Sequence, residues 1–520
     1  MRSTSTVESA IEEVARTLAD PRHVAHRGVD ATGAPAARAD SLEGNAGVAL
    51  FFAELARRDR AWLRTAHAHV SVAAQALTDT SPSVGLHMGP AAVLAAVQAC
   101  APHGGHYPTL RRRLVTYLAD EQRGRVAAER AAGAARGGGV RWAGYDAIAG
   151  LSGTGRLLLS ACLEGGAEER AASGPALRDT LTYLTGLSRP VSAHGREVPG
   201  WWVPEPLLVM DFDRERYPRG EFNVGMAHGI SGPLTLLGLC AQHGIRVPGQ
   251  DDALQRIGGW LANRTRTDPA GPHWPARIAF DEEVGHDRGD DGGRGHGDGG
   301  AGMGWGEGVG GRGGRGEGRV RSGGDEGGGG GRGDGGGNGR GPDAGEGSGD
   351  RGRDGAGVER PSWCYGTPGI AAALYLAGQV SDEPGWQLLA RTALHALPHR
   401  HDLSDPRHPH RPHRPHHPSH PLHPTGDPLP SPIVCHGQAG LLQAAWRLGR
   451  ATGDASLLGQ AATAGRRILE LADPDAPFGF PSAPQPVPGI LQGAAGIGAA
   501  LLSLVPNTSD PYWDRVLLLS

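Results

Sequence analysis

The sequence predicts an all-α fold, an α/α toroid (barrel) of about seven helical hairpins with a small β-rich insertion. The first observation is a Gly-x-x-Gly followed by an apolar, helix-like run, which recurs six times in the 520 residues. The second is that amphipathic segments separate these runs, with apolar residues at the helical spacing of three and four. Because an apolar helix needs cover on most sides, a ring of inner helices inside a ring of outer ones satisfies both kinds of helix.

The six glycine motifs have uneven spacing along the chain. They begin at Gly44, Gly150, Gly229, Gly366, Gly437 and Gly493. A seventh, degenerate copy begins at Gly85, where the second glycine comes one place late. An open solenoid is the alternative, but its units usually repeat at an even period. The uneven spacing therefore favours a closed toroid.

Two segments interrupt the repeats. Residues 285–357 contain 37 of the 86 glycines, with Arg, Asp and Glu and few apolar side chains. Such a segment buries too little surface to offset the entropy of ordering, which predicts a disordered insert. Residues 399–424 are rich in His and Pro, which is typical of an extended, solvated loop. The predicted toroid therefore consists of two parts, 1–284 and 358–520.

Residues 187–224 lose the helical period and are rich in proline and aromatic residues. This composition predicts a small β-rich extension of the first part of the toroid. Trp201, Trp202 and Phe212 form either a satellite core or a peptide-docking surface, and the satellite core is the commoner origin of such a cluster.

Composition excludes several classes of protein. The formal net charge is −4 and the pI is about 6.7, so no basic surface indicates a nucleic-acid binder. Five cysteines in so long a chain are not a disulfide framework, and the odd number fits a reducing compartment. The first residues lack the pattern of a signal peptide, and no apolar run of about 18 residues predicts a transmembrane segment. We expect a cytoplasmic protein that meets a membrane only within a complex.

Two of the glycine turns carry metal-ligand residues. Cys364 stands two residues before Gly366, and Cys435 with His436 directly precedes Gly437. Because inner helices of a toroid start at the same end, these side chains are expected to converge on the central cavity. Two thiolates and one imidazole suit zinc, and three protein ligands are typical of a catalytic zinc site. The alternative role for a cysteine is packing in the hydrophobic core. We assign this role to the three cysteines inside apolar runs: Cys100, Cys162 and Cys240.

Three further residues stand near the same turns. His228 directly precedes a glycine turn, Asp146 lies four residues before another, and Arg360 lies four residues before Cys364. The alternative for Asp146 is a helix cap, and for Arg360 the end of the charged insert. A titratable His, an Asp and an Arg beside a metal are the parts of an acid–base active site.

Several motifs together resemble the lanthionine synthetase C family, the lanthipeptide cyclases. They are GYDAIAGLSGTG, GMAHGISGPL, SWCYGTPG, CHGQAG and GAAGIG. The order agrees from SLEGNAGVALF to WDRVLLLS, and the two interrupting segments stand outside the pattern as inserts. The resemblance implies Zn²⁺ bound by Cys364, Cys435 and His436 at one end of an α/α toroid. It also implies that the β-rich extension meets the leader of a precursor peptide, which favours docking by Trp201 and Trp202.

The resemblance further implies a catalytic set of four residues. They are His228, Asp146, Arg360 and Tyr365. In the implied reaction a peptide cysteine adds to dehydroalanine or dehydrobutyrine, and His228 protonates the resulting enolate at Cα. Asp146 accepts the thiol proton or orients His228, and Arg360 stabilises the enolate charge.

The expected function is a zinc-dependent peptide cyclase that acts on a dehydrated precursor peptide, leader plus core, supplied by a separate dehydratase. The dehydratase is expected to be separate because the chain lacks the long N-terminal dehydratase part of bifunctional relatives. One alternative is addition of glutathione or another small thiol to dehydrated residues. A non-catalytic zinc-binding toroid that acts as a scaffold is the rival from another class. A glycosidase is weaker, because it needs two cavity carboxylates and only Asp146 recurs at a turn.

Overall fold

A computed structural model describes residues 6–28, 36–78, 85–100, 106–290, 361–401, 431–481, 486–506 and 510–520. Arg360 and most of both predicted inserts lie outside these ranges. Within them the chain forms seventeen α-helices and six short strands. In none of these described ranges is a helix both long and apolar enough to cross a membrane.

The α-helices in chain order are α1 (Val7–Leu18), α2 (Pro21–Arg27), α3 (Asn45–Ala56), α4 (Leu63–Gln75), α5 (Gly89–Cys100), α6 (Pro108–Ala135), α7 (Leu151–Glu164), α8 (Ala167–Leu187), α9 (Asp211–Arg216), α10 (Ser231–Gln242), α11 (Gln250–Asn263), α12 (Phe280–Asp290), α13 (Thr367–Val380), α14 (Pro384–His401), α15 (Gln438–Thr452), α16 (Ala455–Glu470) and α17 (Ala494–Leu502). The strands are β1 (Pro190–Ala193), β2 (Arg196–Pro199), β3 (Glu221–Asn223), β4 (Arg266–Asp268), β5 (Gly271–His273) and β6 (Arg277–Ala279).

Seven helices of the described chain form a closed inner ring. In order around the ring they are α3, α5, α7, α10, α13, α15 and α17. Each helix packs against the next, and α17 packs back against α3. These helices are apolar on nearly all sides, and in α3 every residue except Ala56 is buried. The predicted α/α toroid is confirmed.

An outer helix covers each inner one. The outer helices are α1, α4, α6, α8, α11, α14 and α16; α1 packs on α17, and the others pack on the inner helix before them. The outer helices are amphipathic, as α1 illustrates by burying Ile11, Val14 and Leu18 at the three-and-four spacing. The hairpin arrangement therefore brings the starts of all inner helices to one end of the toroid.

Seven turns precede the inner helices, and we call the end that they form the mouth. Turns 1 to 7 are named by the residue two positions before the glycine at which the helix starts, which in turn 2 is Gly89. These residues are Leu42, His87, Ile148, Ala227, Cys364, Cys435 and Leu491. The backbone carbonyl of each of these residues accepts an amide N–H from a neighbouring turn, at 2.8–3.1 Å. The Ile490 N–H of turn 7 donates to the Leu42 carbonyl of turn 1, so this ring of hydrogen bonds closes. The spacing of the turns is therefore fixed all around the mouth.

The recurring second glycine is required by close packing of each inner helix on its own turn. A Cβ on Gly440 would overlap the carbonyl oxygen of Val434, and a Cβ on Gly369 would overlap that of Trp363. No other residue permits the helix to lie so close to the turn. This explains why the Gly-x-x-Gly pattern recurs with the helices.

The predicted β-rich extension contains β1, β2 and β3. β1 pairs with β2 as an antiparallel hairpin, whereas β3 pairs with β6. β4 and β5 form a second hairpin. The extension therefore includes β6, which the sequence pattern did not indicate, whereas β5 packs on α14.

Two of the three aromatic residues considered for docking are buried. Trp201 is 1% exposed and packs edge-on against Trp260, and Trp202 is 9% exposed. Both indoles belong to the main hydrophobic core, so their burial favours the core alternative, and the docking role implied for Trp201 and Trp202 stays a prediction. Phe212 is 46% exposed and does not belong to that core.

Helices run into the first residues of both predicted inserts. α12 includes residues 285–290, and α14 includes residues 399–401. The remainder of each insert lies outside the described residues, so the predicted disorder and the domain boundaries stay predictions.

The segment 510–520 lies in the middle of the inner ring. Its 3₁₀ helix, Trp513–Leu517, contacts α3 and α7. Asp514 accepts hydrogen bonds from Arg447 of α15, and the Trp363 indole N–H donates to the Leu517 carbonyl at 3.0 Å. Because these partners are spread around the ring, the segment fills its centre.

Candidate metal centre and active site

Turns 5 and 6 bring three potential metal ligands together. One ligand atom from each of Cys364, Cys435 and His436 lies within 4.8 Å of the other two. The Cys364 N–H donates to the Cys435 carbonyl at 3.1 Å, so the ring of hydrogen bonds sets the spacing of the two turns. Among the His, Cys, Asp and Glu residues of the described ranges, no other group of three has this arrangement.

The chemistry of these three side chains fits zinc. Two thiolates and one imidazole are a common zinc donor set, and three protein ligands leave one coordination position for a substrate. Cys364 is buried, whereas Cys435 and His436 are half-buried, so the solvent side of the group lies at turn 6. The three residues can therefore hold an ion that a ligand reaches from the mouth.

The other cysteines belong to the core, as expected. Cys100 and Cys240 lie in inner helices and are buried, whereas Cys162 is half-buried in α7. Burial raises the pKa of Cys100 and Cys240 to about 12, so both thiols stay protonated at neutral pH. All five cysteines are among the described residues, and none forms a disulfide.

His228 and Asp146 form a hydrogen-bonded pair at the mouth. His228 Nδ1 lies 2.6 Å from Asp146 Oδ2. The other carboxylate oxygen accepts the amide N–H groups of Ala149 and Gly150 at the start of α7, at 2.8 and 2.6 Å. Asp146 is 1% exposed, and its carboxylate holds both the turn before α7 and the imidazole. The His228 side chain is 24% exposed, so the imidazole is partly open to solvent.

Two aromatic rings lie near His228. The ring centroids of Trp142 and Tyr365 each lie 5.8 Å from that of the imidazole. Tyr365 directly follows the ligand Cys364 in turn 5, so the imidazole stands beside the candidate metal group. Burial raises the pKa of Tyr365, which keeps its phenol protonated.

Glu43 was not singled out from the sequence, although it occupies the same turn position as His228 and His436. All three residues directly precede the first glycine of their turns. The Glu43 carboxylate accepts the N–H groups of Leu491 and Gln492 at 3.1 and 3.3 Å, and burial raises its pKa to about 7. An alignment of the seven turns is the signal that identifies it.

His87 occupies, in turn 2, the position that Cys364 and Cys435 hold in turns 5 and 6. It is 8% exposed, and neither ring nitrogen has a hydrogen-bond partner within the described structure. Burial, with a smaller effect of His228, lowers its pKa to about 3. His87 is therefore a neutral imidazole near the His228 side of the mouth.

Arg360 lies outside the described residues, so its place at the mouth stays a prediction.

Comparisons with known proteins identify the family. The family model described as Lanthionine synthetase C-like protein matches residues 36–309, 345–410 and 423–518. The stretches between these matches fall inside the two predicted inserts. The solved structure of nisin cyclase matches with a TM-score of 0.62 and 18% sequence identity, over 99% of this chain and 96% of that chain. No curated protein matches the sequence. With the family model covering most of its length, the chain belongs to the lanthionine synthetase C-like family.

Proposed function

We propose that the protein is a zinc-dependent peptide cyclase that forms lanthionine and methyllanthionine thioether rings. The family and the nisin cyclase fold support cyclisation as the reaction class. The observation that carries the proposal is that the turn of His228 adjoins the turn of Cys364. The Ala227 N–H donates to the Cys364 carbonyl at 3.0 Å, and the Tyr365 ring centroid lies 5.8 Å from that of His228. The reaction needs two kinds of group together, one to activate the thiol that attacks the β-carbon and one to protonate the α-carbon.

Cys364, Cys435 and His436 are the residues that would hold the ion. Bound zinc would act as a Lewis acid that lowers the pKa of the incoming cysteine thiol. The ring of hydrogen bonds at the mouth holds the turns of these ligands at fixed spacing before any metal binds. Little movement of these turns is then required when the ion binds.

His228 is the general acid of the proposed reaction. Addition of sulfur to the β-carbon leaves an enolate that takes up one proton at Cα. Since Asp146 holds Nδ1, the proton comes from Nε2 of His228. Both carboxylate oxygens of Asp146 already accept hydrogen bonds. Of the two roles considered for Asp146, orientation of His228 is therefore the one we propose. Tyr365 lies beside the imidazole as a protonated phenol, and Arg360 stays proposed for the enolate charge.

The proposed partners follow from the substrate. A dehydrated precursor peptide, leader plus core, must first be made by a dehydrating enzyme, and we propose a separate dehydratase for this step. The proposed setting is the cytoplasm, with a membrane reached through a complex of these partners.

A mass and thiol assay tests the proposed function. The purified protein is incubated with a dehydrated peptide that contains cysteine, and free thiols are counted beside the peptide mass. Cyclisation lowers the thiol count at constant mass, because the proton lost by sulfur is matched by one gained at Cα. A mass increase on addition of glutathione indicates the small-thiol alternative, and no change in either quantity indicates a scaffold. His228→Gln is expected to abolish cyclisation, whereas His273→Gln, in β5, is the control.

A further inference from the structure

Five side chains form a continuous row of contacts from the β-rich extension to the mouth, which we call the stack. The order is Tyr217, Arg277, Trp142, His228 and Tyr365. Its rings at His228 are tilted by 32° and 34° and are not parallel. The Arg277 guanidinium carbon lies 4.7 Å from the Trp142 ring centroid and 5.8 Å from that of Tyr217. Trp142 and Tyr365 each lie 5.8 Å from His228. The proposed acid therefore lies in a stack whose other end is held by the extension.

Trp142 is held at its indole N–H by Glu221 as well as over its ring by Arg277. Its indole N–H donates to Glu221 Oε1 at 3.0 Å. The second oxygen of Glu221 lies 3.3 Å from Arg277 Nε, and Arg277 also binds Asp213 at 2.6 Å. Glu221 is fully buried in β3, and Arg277 lies in the paired strand β6. The cation–π contact and this buried hydrogen bond together hold one orientation of the indole.

The hydrogen bond from Trp142 to Glu221 does not depend on the charge of the carboxyl group. Burial raises the pKa of Glu221 to about 7, although Arg277 opposes this effect. A carboxylate and a protonated carboxyl group both offer an oxygen acceptor to the indole N–H. The position of Trp142 is therefore maintained across neutral pH.

A single hydrogen bond to Asp146 leaves the imidazole of His228 able to tilt about that bond. Four groups lie near it: Asp146, Trp142, Tyr365 and, from turn 2, His87. Trp142 and Tyr365 limit the tilt because the centroids of both rings lie 5.8 Å from that of the imidazole. The Cα of the enolate is prochiral, so the orientation of the imidazole decides which face receives the proton.

We propose that Trp142 and Glu221 are positioning residues that set the stereochemistry of Cα protonation by His228. This inference rests on the proposed function, and it adds residues of the β-rich extension to those that position His228. When the support is removed, the imidazole tilts, and water delivers the proton to either face of the enolate.

The chain contains a matched control for the buried Trp–Glu–Arg group. Trp260 donates its indole N–H to Glu283 at 2.9 Å, and Arg264 binds the same carboxylate at 2.8 Å. This second group joins α11 to α12 and makes no ring contact with His228. Substitutions in it remove the same kind of interaction without touching the stack.

The test compares Trp142→Phe, Glu221→Leu and Glu221→Gln with Trp260→Phe and Glu283→Leu. We expect Trp142→Phe and Glu221→Leu to lower kcat by about 10- to 100-fold with little change in KM, since misplacement of a catalytic group costs this much. Chiral analysis of the hydrolysed product should show a second Cα diastereomer. Glu221→Gln keeps an acceptor for the indole N–H and should give a single diastereomer. Both control variants should also give a single diastereomer, although their melting temperatures fall about as much as those of Trp142→Phe and Glu221→Leu.

Two results would overturn the inference. One is a single diastereomer with near-normal kcat in both Trp142→Phe and Glu221→Leu, and the other is an equal mixture of diastereomers from the control variants. Either result leaves the proposed function intact when the wild-type protein cyclises the peptide. A wild-type protein that forms no thioether overturns the proposed function and this inference with it.

Discussion

Cys435 and His436 are neighbours in the chain, but their value as ligands depends on Cys364 in the preceding turn. The sequence places the three residues at equivalent turns, and the structure places their ligand atoms within 4.8 Å. This convergence was predictable because a toroid gathers the starts of its inner helices at one end. Asp146 and Tyr365 were expected near His228, but its contact with Trp142 was not predictable. Trp142 and the Glu221 that holds it lie far apart in the chain and belong to no repeat.

We expect Cys364→Ala and Cys435→Ala to lose zinc, because either change leaves only two ligands. The purified wild-type protein should contain about one zinc per chain when metal content is measured by mass spectrometry. Cys240→Ala is the control, since this thiol is buried in α10 and stays protonated. Retention of zinc by both ligand variants, or its absence from the wild type, contradicts the assignment.

Glu43 gives a prediction for the pH dependence of stability. Burial raises its pKa in the folded protein to about 7, whereas in the unfolded chain the pKa returns to its ordinary, lower value. Between these two values the folded state holds a proton that the unfolded state has lost, so stability falls as pH rises. The free energy of unfolding of the wild type, minus that of Glu43→Gln, should fall by about 1–2 kcal/mol from pH 5 to pH 8. Chemical denaturation at several pH values measures this difference, and a flat difference contradicts the prediction.

At the scale of elements, the inner helices were predictable and the strands only in part. The Gly-x-x-Gly pattern marks the inner helices because a Cβ would overlap the turn, as it would at Gly440. Strands of three or four residues are too short to show a period, so β6 left no signal. Its pairing with β3 depends on contacts between distant parts of the chain, which local patterns do not encode.

Two helical glycines should respond in opposite ways to alanine. Gly440→Ala in α15 forces a Cβ against the Val434 carbonyl, so we expect a loss of about 1–3 kcal/mol and weaker zinc binding. Gly459→Ala in α16 places a Cβ where nothing lies within 4 Å, so we expect a gain of about 0.5–1 kcal/mol. Thermal denaturation and zinc titration measure both effects. Equal effects of the two substitutions would show that the inner helices are not packed as closely on their turns as described.

At the scale of the whole molecule, the predicted closed toroid is confirmed by the contact of α17 with α3. Uneven spacing in the sequence favoured the ring over a solenoid, because a closed fold tolerates connections of different length. The ring of hydrogen bonds was not predictable, since it uses backbone groups that no side chain reveals. It makes turn 1 and turn 7 neighbours although they lie at opposite ends of the repeat array.

Because the ring has no end, a disturbance in one turn should spread to both of its neighbours. Gly496→Ala drives a Cβ into the Ile490 carbonyl of turn 7. We expect faster amide hydrogen exchange at Ile490, at Cys435 in turn 6 and at Leu42 in turn 1. Hydrogen-exchange mass spectrometry measures these amides, with Gly459→Ala as the control. Faster exchange confined to turn 7 would contradict the prediction that the ring of hydrogen bonds couples neighbouring turns.

The segment 510–520 determines how the proposed substrate can enter and leave the toroid. It occupies the middle of the inner ring, with Trp513 and Leu517 fully buried there. The toroid is therefore not a tunnel through which a peptide can be threaded from one side to the other. In the proposed reaction a precursor would arrive at the mouth and depart from the same face, so each new thioether ring would leave along the route by which its cysteine came in.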